Sequence, residues 1–293
     1  MPAESRDRWA EWLAQRRFGG DPEARQQGLA HLSAIRDKVL DRAELAGGEH
    51  LLDVGCGEGL IAFGALERGA GTVTFSDVSA DLLALCRELA SEIGVTERCV
   101  FVQAPADDLS LIEDGSMDVV TSRSVLIYVE DKARAFGEFA RVLRPGGRIS
   151  LFEPINRFGI DTGKGRLFGY DLNGVEQSGE RLRAVFDALQ PADTDPMIDF
   201  DERDLIRLAE RAGFFPISLA LDIVFKPLPP REWDVFLHTA GNPNVPTIGE
   251  AMRSALTTDE QSLLSAHLRP LVERGEGVWR MATASLAATK RAS

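Results

Sequence analysis

The apolar positions change rhythm once along this chain. Over residues about 5–45 they recur at helical spacing: Trp9, Trp12 and Leu13 share one face, and Leu29, Leu32, Ile35, Val39 and Leu40 form a second stripe. The break Gly19-Gly20-Asp21-Pro22 separates two predicted helices, and Gly47-Gly48 ends the second. From Leu51 onward, short apolar runs alternate with helical stretches. The runs cover 51–54, 72–76, 99–103, 117–121 and 148–152. This alternation predicts a largely parallel sheet covered by helices on both faces.

After Glu153-Pro154 the rhythm pauses. Residues about 155–198 read as irregular, with glycines at 159, 163, 165, 169, 174 and 179. A helix is predicted over 202–212, with Gly213 at its C′ position, then a strand over 217–225. A second excursion runs from Pro227 to about Gly277. Residues 278–287 read as a last strand, although their poor period leaves helix open.

Composition narrows the function more than the fold. The 293 residues, 44% hydrophobic, suit one α/β domain with insertions. Asp and Glu outnumber Lys and Arg by 46 to 33, a formal charge of −13, which argues against nucleic acid or an anionic membrane as partner. Cys56, Cys86 and Cys99 have no C-x-x-C spacing and the four histidines are scattered, so no metal site is expected. The start, Met1-Pro2-Ala3-Glu4-Ser5-Arg6-Asp7-Arg8, is too charged for a secretory leader. No run reaches the roughly 18 apolar residues of a membrane span. A cytoplasmic protein is expected, with no oligomeric state set.

The chemistry is densest where the first strand ends. Leu51-Leu52-Asp53-Val54-Gly55-Cys56-Gly57-Glu58-Gly59 passes from a strand through a glycine loop into a helix at Leu60. Glycine lets the main chain approach a ligand and take left-handed angles. The helix start then offers free N–H groups to an anion. The glycine spacing is one residue shorter than the dinucleotide pattern G-x-G-x-x-G, and no Gly-Lys-Ser/Thr follows to hold phosphates. Asp77, roughly twenty residues on, ends the second strand, where a carboxylate can accept both ribose hydroxyls. Capping the next helix is its plain alternative. Val78 beside it offers an apolar face to a base.

This ordered set resembles the class I S-adenosylmethionine (SAM) methyltransferases, whose motif I is a strand, an acid and alternating glycines. The block Met117-Asp118-Val119-Val120-Thr121-Ser122-Arg123-Ser124-Val125-Leu126-Ile127-Tyr128-Val129, followed by Leu143-Arg144-Pro145-Gly146-Gly147, is similar to the small-molecule branch with the ubiquinone and menaquinone enzymes. The resemblance is strong over about 45–155 and loose over 199–227. It implies an α/β, Rossmann-like fold: a seven-stranded, mostly parallel sheet of order 3-2-1-4-5-7-6, last strand antiparallel, helices on both faces. One domain is implied, with a core of about 45–154, 199–227 and 277–291. A mainly helical lid would come from about 1–44, 155–198 and 228–276.

The resemblance implies SAM as cofactor, held by Asp53, Gly55, Cys56, Gly57, Asp77, Val78, Ala106, Asp107 and Ser122. Residues 101–109 are similar to the family's adenine-contacting segment, with Pro105 where an aspartate is usual. Asp107, Gln103 or backbone groups would then meet the exocyclic amine. The implied reaction is in-line methyl transfer to a small, partly apolar organic acceptor. It needs alignment and exclusion of water, and a base only where the acceptor is protonated. Signatures of DNA base-amine, protein arginine and arsenite methyltransferases are absent. Acceptor-side candidates are Arg123, Ser124, Tyr128, Glu153, Asn156 and His238, with Tyr128 and His238 assigned to catalysis; a packing or surface role is the plain alternative for His238. The competing function is a SAM-binding protein of this fold that transfers no methyl.

Overall fold

Leu51 and Leu52 are neighbours in sequence, both fully buried, and each belongs to a different hydrophobic cluster. That is what a strand covered on both faces requires, and it explains the unbroken apolar runs. The computed structural model describes residues 6–162, 165–192 and 194–292. Residues 1–5 of the charged start and Gly163 of the first excursion lie outside the described residues.

The main sheet contains β1 His50–Val54, β2 Thr72–Asp77, β3 Cys99–Gln103, β4 Met117–Arg123, β5 Leu143–Pro154, β6 Phe214–Pro227 and β7 Val278–Lys290. The order is β3-β2-β1-β4-β5-β7-β6. Strands β1 to β5 pair in parallel, and β7 is antiparallel to both β5 and β6. The expected order and final strand are both present. The poor period of β7 has a physical cause: Thr283 and Ser285 are buried on one face, Ala282, Ala284 and Leu286 on the other. Strand β5 starts earlier than expected, because Leu143 already pairs with Met117; the register then shifts so that Arg148 faces Val119. The intervening Arg-Pro-Gly-Gly is the bulge that absorbs the shift.

The helices are α1 Arg8–Glu11, continued by a π-helical turn Trp12–Arg16, then α2 Pro22–Arg42, α3 Leu60–Glu67, α4 Ala80–Glu92, α5 Lys132–Val142, α6 Arg157–Thr162, α7 Glu176–Leu189, α8 Glu202–Arg211, α9 Trp233–Leu237, α10 Ile248–Ala255 and α11 Thr258–Arg274. One face of the sheet packs on Leu40 of α2, Ile61 of α3 and Leu83 of α4. The other packs on Phe136 and Phe139 of α5 and Leu205 of α8. Ser79 caps α4 by accepting from Leu82 N–H, and Asp131 caps α5 by accepting from Arg134 N–H. Both caps hold helix starts close to the C-terminal edge of the strands.

The first excursion is not irregular. Helix α7 carries Leu182, Val185 and Phe186 into a second core, where Trp233, Phe236, Ile248, Leu264 and Leu268 of the other excursion meet them. Its stripe is hard to read because Ser178 and Gly179 fill buried positions that an apolar residue would mark; a β-carbon on Gly179 would stand 2.6 Å from Leu172. The N-terminal segment ties the two cores together. Asp7 accepts from Ser79 Oγ at the β2 end, while Trp12 Nε1 donates to Ala240 O at 2.9 Å and Arg16 pairs with Glu250 at 3.1 Å. Among the described residues no helix is long and apolar enough to cross a membrane.

Candidate ligand site at the glycine loop

Because β1 to β4 are parallel, their C-terminal ends share one edge, and four sequence-predicted groups meet there: the loop from Asp53, Asp77 with Val78, Ala106 with Asp107, and Ser122. Gly55 has φ +65°, and a β-carbon on it would lie 2.2 Å from Val125 Cγ2. Gly59 has φ +80° and starts α3. Cys56 N–H donates to Ser76 O at 2.9 Å, and Gly57 N–H donates to Asp77 Oδ2 at 2.9 Å. Asp77 Oδ1 accepts from Ser79 N–H at 2.9 Å. Asp77 thus braces the loop and starts the next helix while facing the edge. Burial pushes its carboxyl upward despite those two donors.

Asp53 lies deeper and is 1% exposed. Thr121 Oγ1, directly across on β4, donates to Asp53 Oδ1 at 2.9 Å. Its other oxygen, Oδ2, is buried without a partner among the described residues, as is Ser122 Oγ next door. Burial pushes Asp53 up to about 7, opposed by the Thr121 hydrogen bond and the Arg123 charge. Orphaned buried acceptors of this kind ask for a donor from outside the chain. Cys56 and Cys86 both lie against Gly57 O. The Cys86 contact, then burial, push the Cys56 thiol up, so it remains a thiol.

Val78 is exposed, Ala106 buried and Asp107 half-buried. The β2 and β3 ends are joined by Ala104 N–H to Asp77 O and Gln103 Nε2 to Val78 O, both at 3.1 Å. Gln103 Nε2 is thus engaged on the backbone.

The acceptor-side candidates separate. Ser124 sits at φ +57°, unusual for serine, and redirects the chain into the short turn Leu126–Tyr128. Glu153, fully buried, accepts at Oε1 from Val125 and Leu126 N–H at 3.1 and 3.2 Å. Burial pushes it up to about 7. Arg123 lies between these acids and is pulled down by burial. Tyr128 packs edge-on against Trp9 with ring centroids 4.8 Å apart, and burial pushes its phenol up to about 12. Asn156 is turned away, donating to Met197 O. His238 is exposed beyond α9, its Nδ1 against Asp234 O at 2.7 Å. Trp233 and Phe236 are stacked in the second core.

A cavity of about 360 Å³ beside the loop is lined by Leu13, Arg17, Gly57, Leu85 and Arg123, together with the acids Glu58, Glu88 and Glu92. Leu13 and Arg17 are additions the sequence did not single out. Leu13 alone carries a signal, as part of the helical face shared with Trp9 and Trp12.

A methyltransferase-domain family matches residues 52–151, the stretch from β1 to β5 that builds this edge. Over 138 residues the chain is 35% identical to a ubiquinone biosynthesis O-methyltransferase of Sodalis glossinidius, covering 47% of this chain and 54% of that one. The chain spans about half the length of the curated relatives it matches. Among solved structures, a geranyl diphosphate C-methyltransferase from Streptomyces coelicolor aligns with TM-score 0.54 and 17% identity, over 95% of this chain and 84% of that one. The cyclase SpnF aligns with TM-score 0.51 and 21% identity, over 89% and 81%. These likenesses extend the methyltransferase fold beyond the matched domain to the later strands.

Proposed function

We propose that the protein transfers a methyl group from SAM to a small, partly apolar organic acceptor of the metabolite or natural-product kind. The observation that carries this reading is the glycine loop braced by Asp77, above an Asp53 whose Oδ2 has no partner. Bound SAM supplies a methyl on a sulfonium, which an acceptor nucleophile takes by in-line displacement. In this reading the loop backbone and Asp53 line the amino-acid end, Asp77 holds the ribose, and Val78 with Ala106 and Asp107 the adenine. The N-terminal segment and the second core form the lid that excludes water.

Tyr128 keeps its proton at neutral pH and acts as a hydrogen-bond donor to the acceptor, not as a base. His238 has no part in this reading, because its ring is exposed and held by Asp234 O. The test is incubation with methyl-labelled SAM and a panel of phenols, amines and polyketides, followed by mass analysis. Tight S-adenosylhomocysteine binding with no labelled product across the panel would favour the second reading, a SAM-binding protein that transfers no methyl. That reading draws support from the cyclase SpnF, a solved structure of this fold.

Asp77→Ala is expected to weaken S-adenosylhomocysteine binding by about 1–3 kcal/mol, the loss of charged hydrogen bonds. Unchanged affinity by calorimetry would remove Asp77 from the site.

Binding should also be linked to protons. Asp53, pushed up to about 7, holds a proton in the free protein below that pH, whereas a free carboxyl sheds it near 4. An ammonium docked on Oδ2 favours the ionised form, so the folded pKa falls and a proton leaves. Affinity is expected to rise from about pH 5.5 to about 7 and then level off. Calorimetry in buffers of different ionisation enthalpy reads the released proton. An identical pH profile in Asp53→Asn would refute the linkage.

A further inference from the structure

The second core contains a cavity of its own, of about 150 Å³. Phe168, Tyr170, Phe186, Phe236 and Ile248 line it, and Arg231 is the one charged side chain among the described lining residues. Among the described residues, none lines both this cavity and the one beside the glycine loop. The hairpin that carries Phe168 and Tyr170 is held to the start of β7, where Val278 N–H donates to Gly169 O at 3.0 Å. Val278 comes five residues before Thr283, which pairs with Pro154 at the end of β5. At about 3.3 Å per residue, that start stands roughly 16 Å beyond the β5 end. The cavity is a separate place from the glycine-loop edge.

Its walls suit a single aromatic ring. An apolar cavity of about 150 Å³ is large enough to hold benzene. Phe168 meets Phe186 edge-on at 5.3 Å and Phe236 at 6.1 Å, while Tyr170 meets Phe236 at 90° and 5.7 Å. Rings set edge to face offer a guest ring the same favourable geometry. Phe168 is held there against its backbone preference. With Gly169 it forms the two-residue turn of the hairpin, at φ +52° and +90°. A bulky residue rarely takes a left-handed angle, and asparagine is the usual choice at that place. The turn therefore keeps a strained phenylalanine on the cavity wall.

The polar groups specify what the ring carries. Tyr170 is 3% exposed, yet its hydroxyl has no hydrogen-bond partner among the described residues; a buried tyrosine usually finds one. Burial, opposed by the Arg231 charge, pushes its phenol up, so it remains a donor. Among the described residues the Arg231 guanidinium closes no ion pair and donates no hydrogen bond. Glu232 and Asp234, the nearest acids in sequence, are exposed and lie outside the cavity wall. Two free donors beside a box of rings match an aryl group bearing a carboxylate.

We propose that this cavity is a second ligand site, taking a small aromatic carboxylate with its ring among Phe168, Phe186 and Phe236 and its anion at Arg231 and Tyr170. The test is calorimetry on the full chain with phenylacetate and with phenylacetamide, its uncharged counterpart of the same shape. The native protein is expected to prefer phenylacetate by about tenfold, the low end for a charged hydrogen bond because Arg231 is half-buried. Arg231→Gln should lose that preference while binding phenylacetamide as the native protein does. Phe168→Gly, which suits the turn, should stay folded in thermal melts and weaken both probes alike. Phenylacetate should bind equally well with S-adenosylhomocysteine present, and should take up no methyl from labelled SAM.

A folded native protein that binds no phenylacetate at millimolar concentration overturns the proposal. So does an Arg231→Gln variant that keeps the preference, or a Phe168→Gly variant that binds both probes like the native protein. Competition with S-adenosylhomocysteine, or labelled phenylacetate product, would put the acid at the glycine-loop edge and overturn a second site. Failure to bind S-adenosylhomocysteine would count against the SAM reading alone, since this cavity does not depend on it.

Discussion

Glu153→Ala is expected to lower folding stability by about 2–4 kcal/mol, while Glu153→Gln loses much less. The Glu153 Oε1 atom is the partner of two N–H groups, those of Val125 and Leu126. Leaving a buried donor unsatisfied costs about 1–3 kcal/mol, and alanine leaves two. Part of that loss is offset, because a fully buried acid pushed up to about 7 is itself unfavourable at neutral pH. Glutamine keeps a carbonyl oxygen for both donors and removes the charge. Urea melts at pH 7 measure the pair. An alanine variant as stable as the glutamine one would show that the two hydrogen bonds do not hold the turn. The alanine variant should also free the turn Leu126–Tyr128, releasing Tyr128 from Trp9.

Gly55→Ala is expected to abolish measurable S-adenosylhomocysteine binding and to destabilise the fold by about 2–3 kcal/mol. The left-handed conformation costs a non-glycine residue about 1–2 kcal/mol. The new β-carbon would also stand 2.2 Å from Val125 Cγ2, with Cγ1 and Cβ of the same valine at 3.2 and 3.3 Å. Either the loop opens, moving the Cys56 and Gly57 N–H groups off the edge, or Val125 moves and strains the turn that Glu153 holds. Gly55→Ala combined with Val125→Ala removes the methyl clash but not the backbone strain. The double variant should therefore regain part of the stability and some binding. A double variant no better than the single one would put the whole effect on the backbone angle.

Some of this was legible from side-chain identity alone. Buried parallel strands must be apolar on both faces, so β1 to β5 stand out as runs. Alternating glycines after Asp53 have little purpose other than close backbone approach, and Asp77 follows at the spacing a second strand dictates. Helix α7 was not legible, since Gly179 and Ser178 occupy its buried side and erase the stripe. Strand β7 looked ambiguous for a related reason, small residues filling both of its faces. Arg17 was invisible for a different reason. A pair such as Arg16-Arg17 reads as a solvated helix face, and only the π turn sends one arginine to Glu250 and the other over the glycine loop. Glu153 and Arg123 could be named from their places at strand ends, but their burial, and the shifts it causes, come from packing that no local pattern encodes.

The placement of β7 between β5 and β6 has a consequence for the order of events during synthesis. The inserted strand is made after both of its neighbours, and β6 pairs in the main sheet with β7 alone. As the chain leaves the ribosome, β2 to β5 can assemble on β1 in turn, each finding a partner already made. Strand β6 has no such partner until residues 278–290 emerge. For that interval it is an open edge carrying Phe215, Ile223 and Phe225, which stay exposed even in the finished fold. Sticky edges of this kind invite association between nascent chains. Helix α8, which packs on β6 and shares its core through Leu205 and Phe214, is the element already in place to shield one side of it.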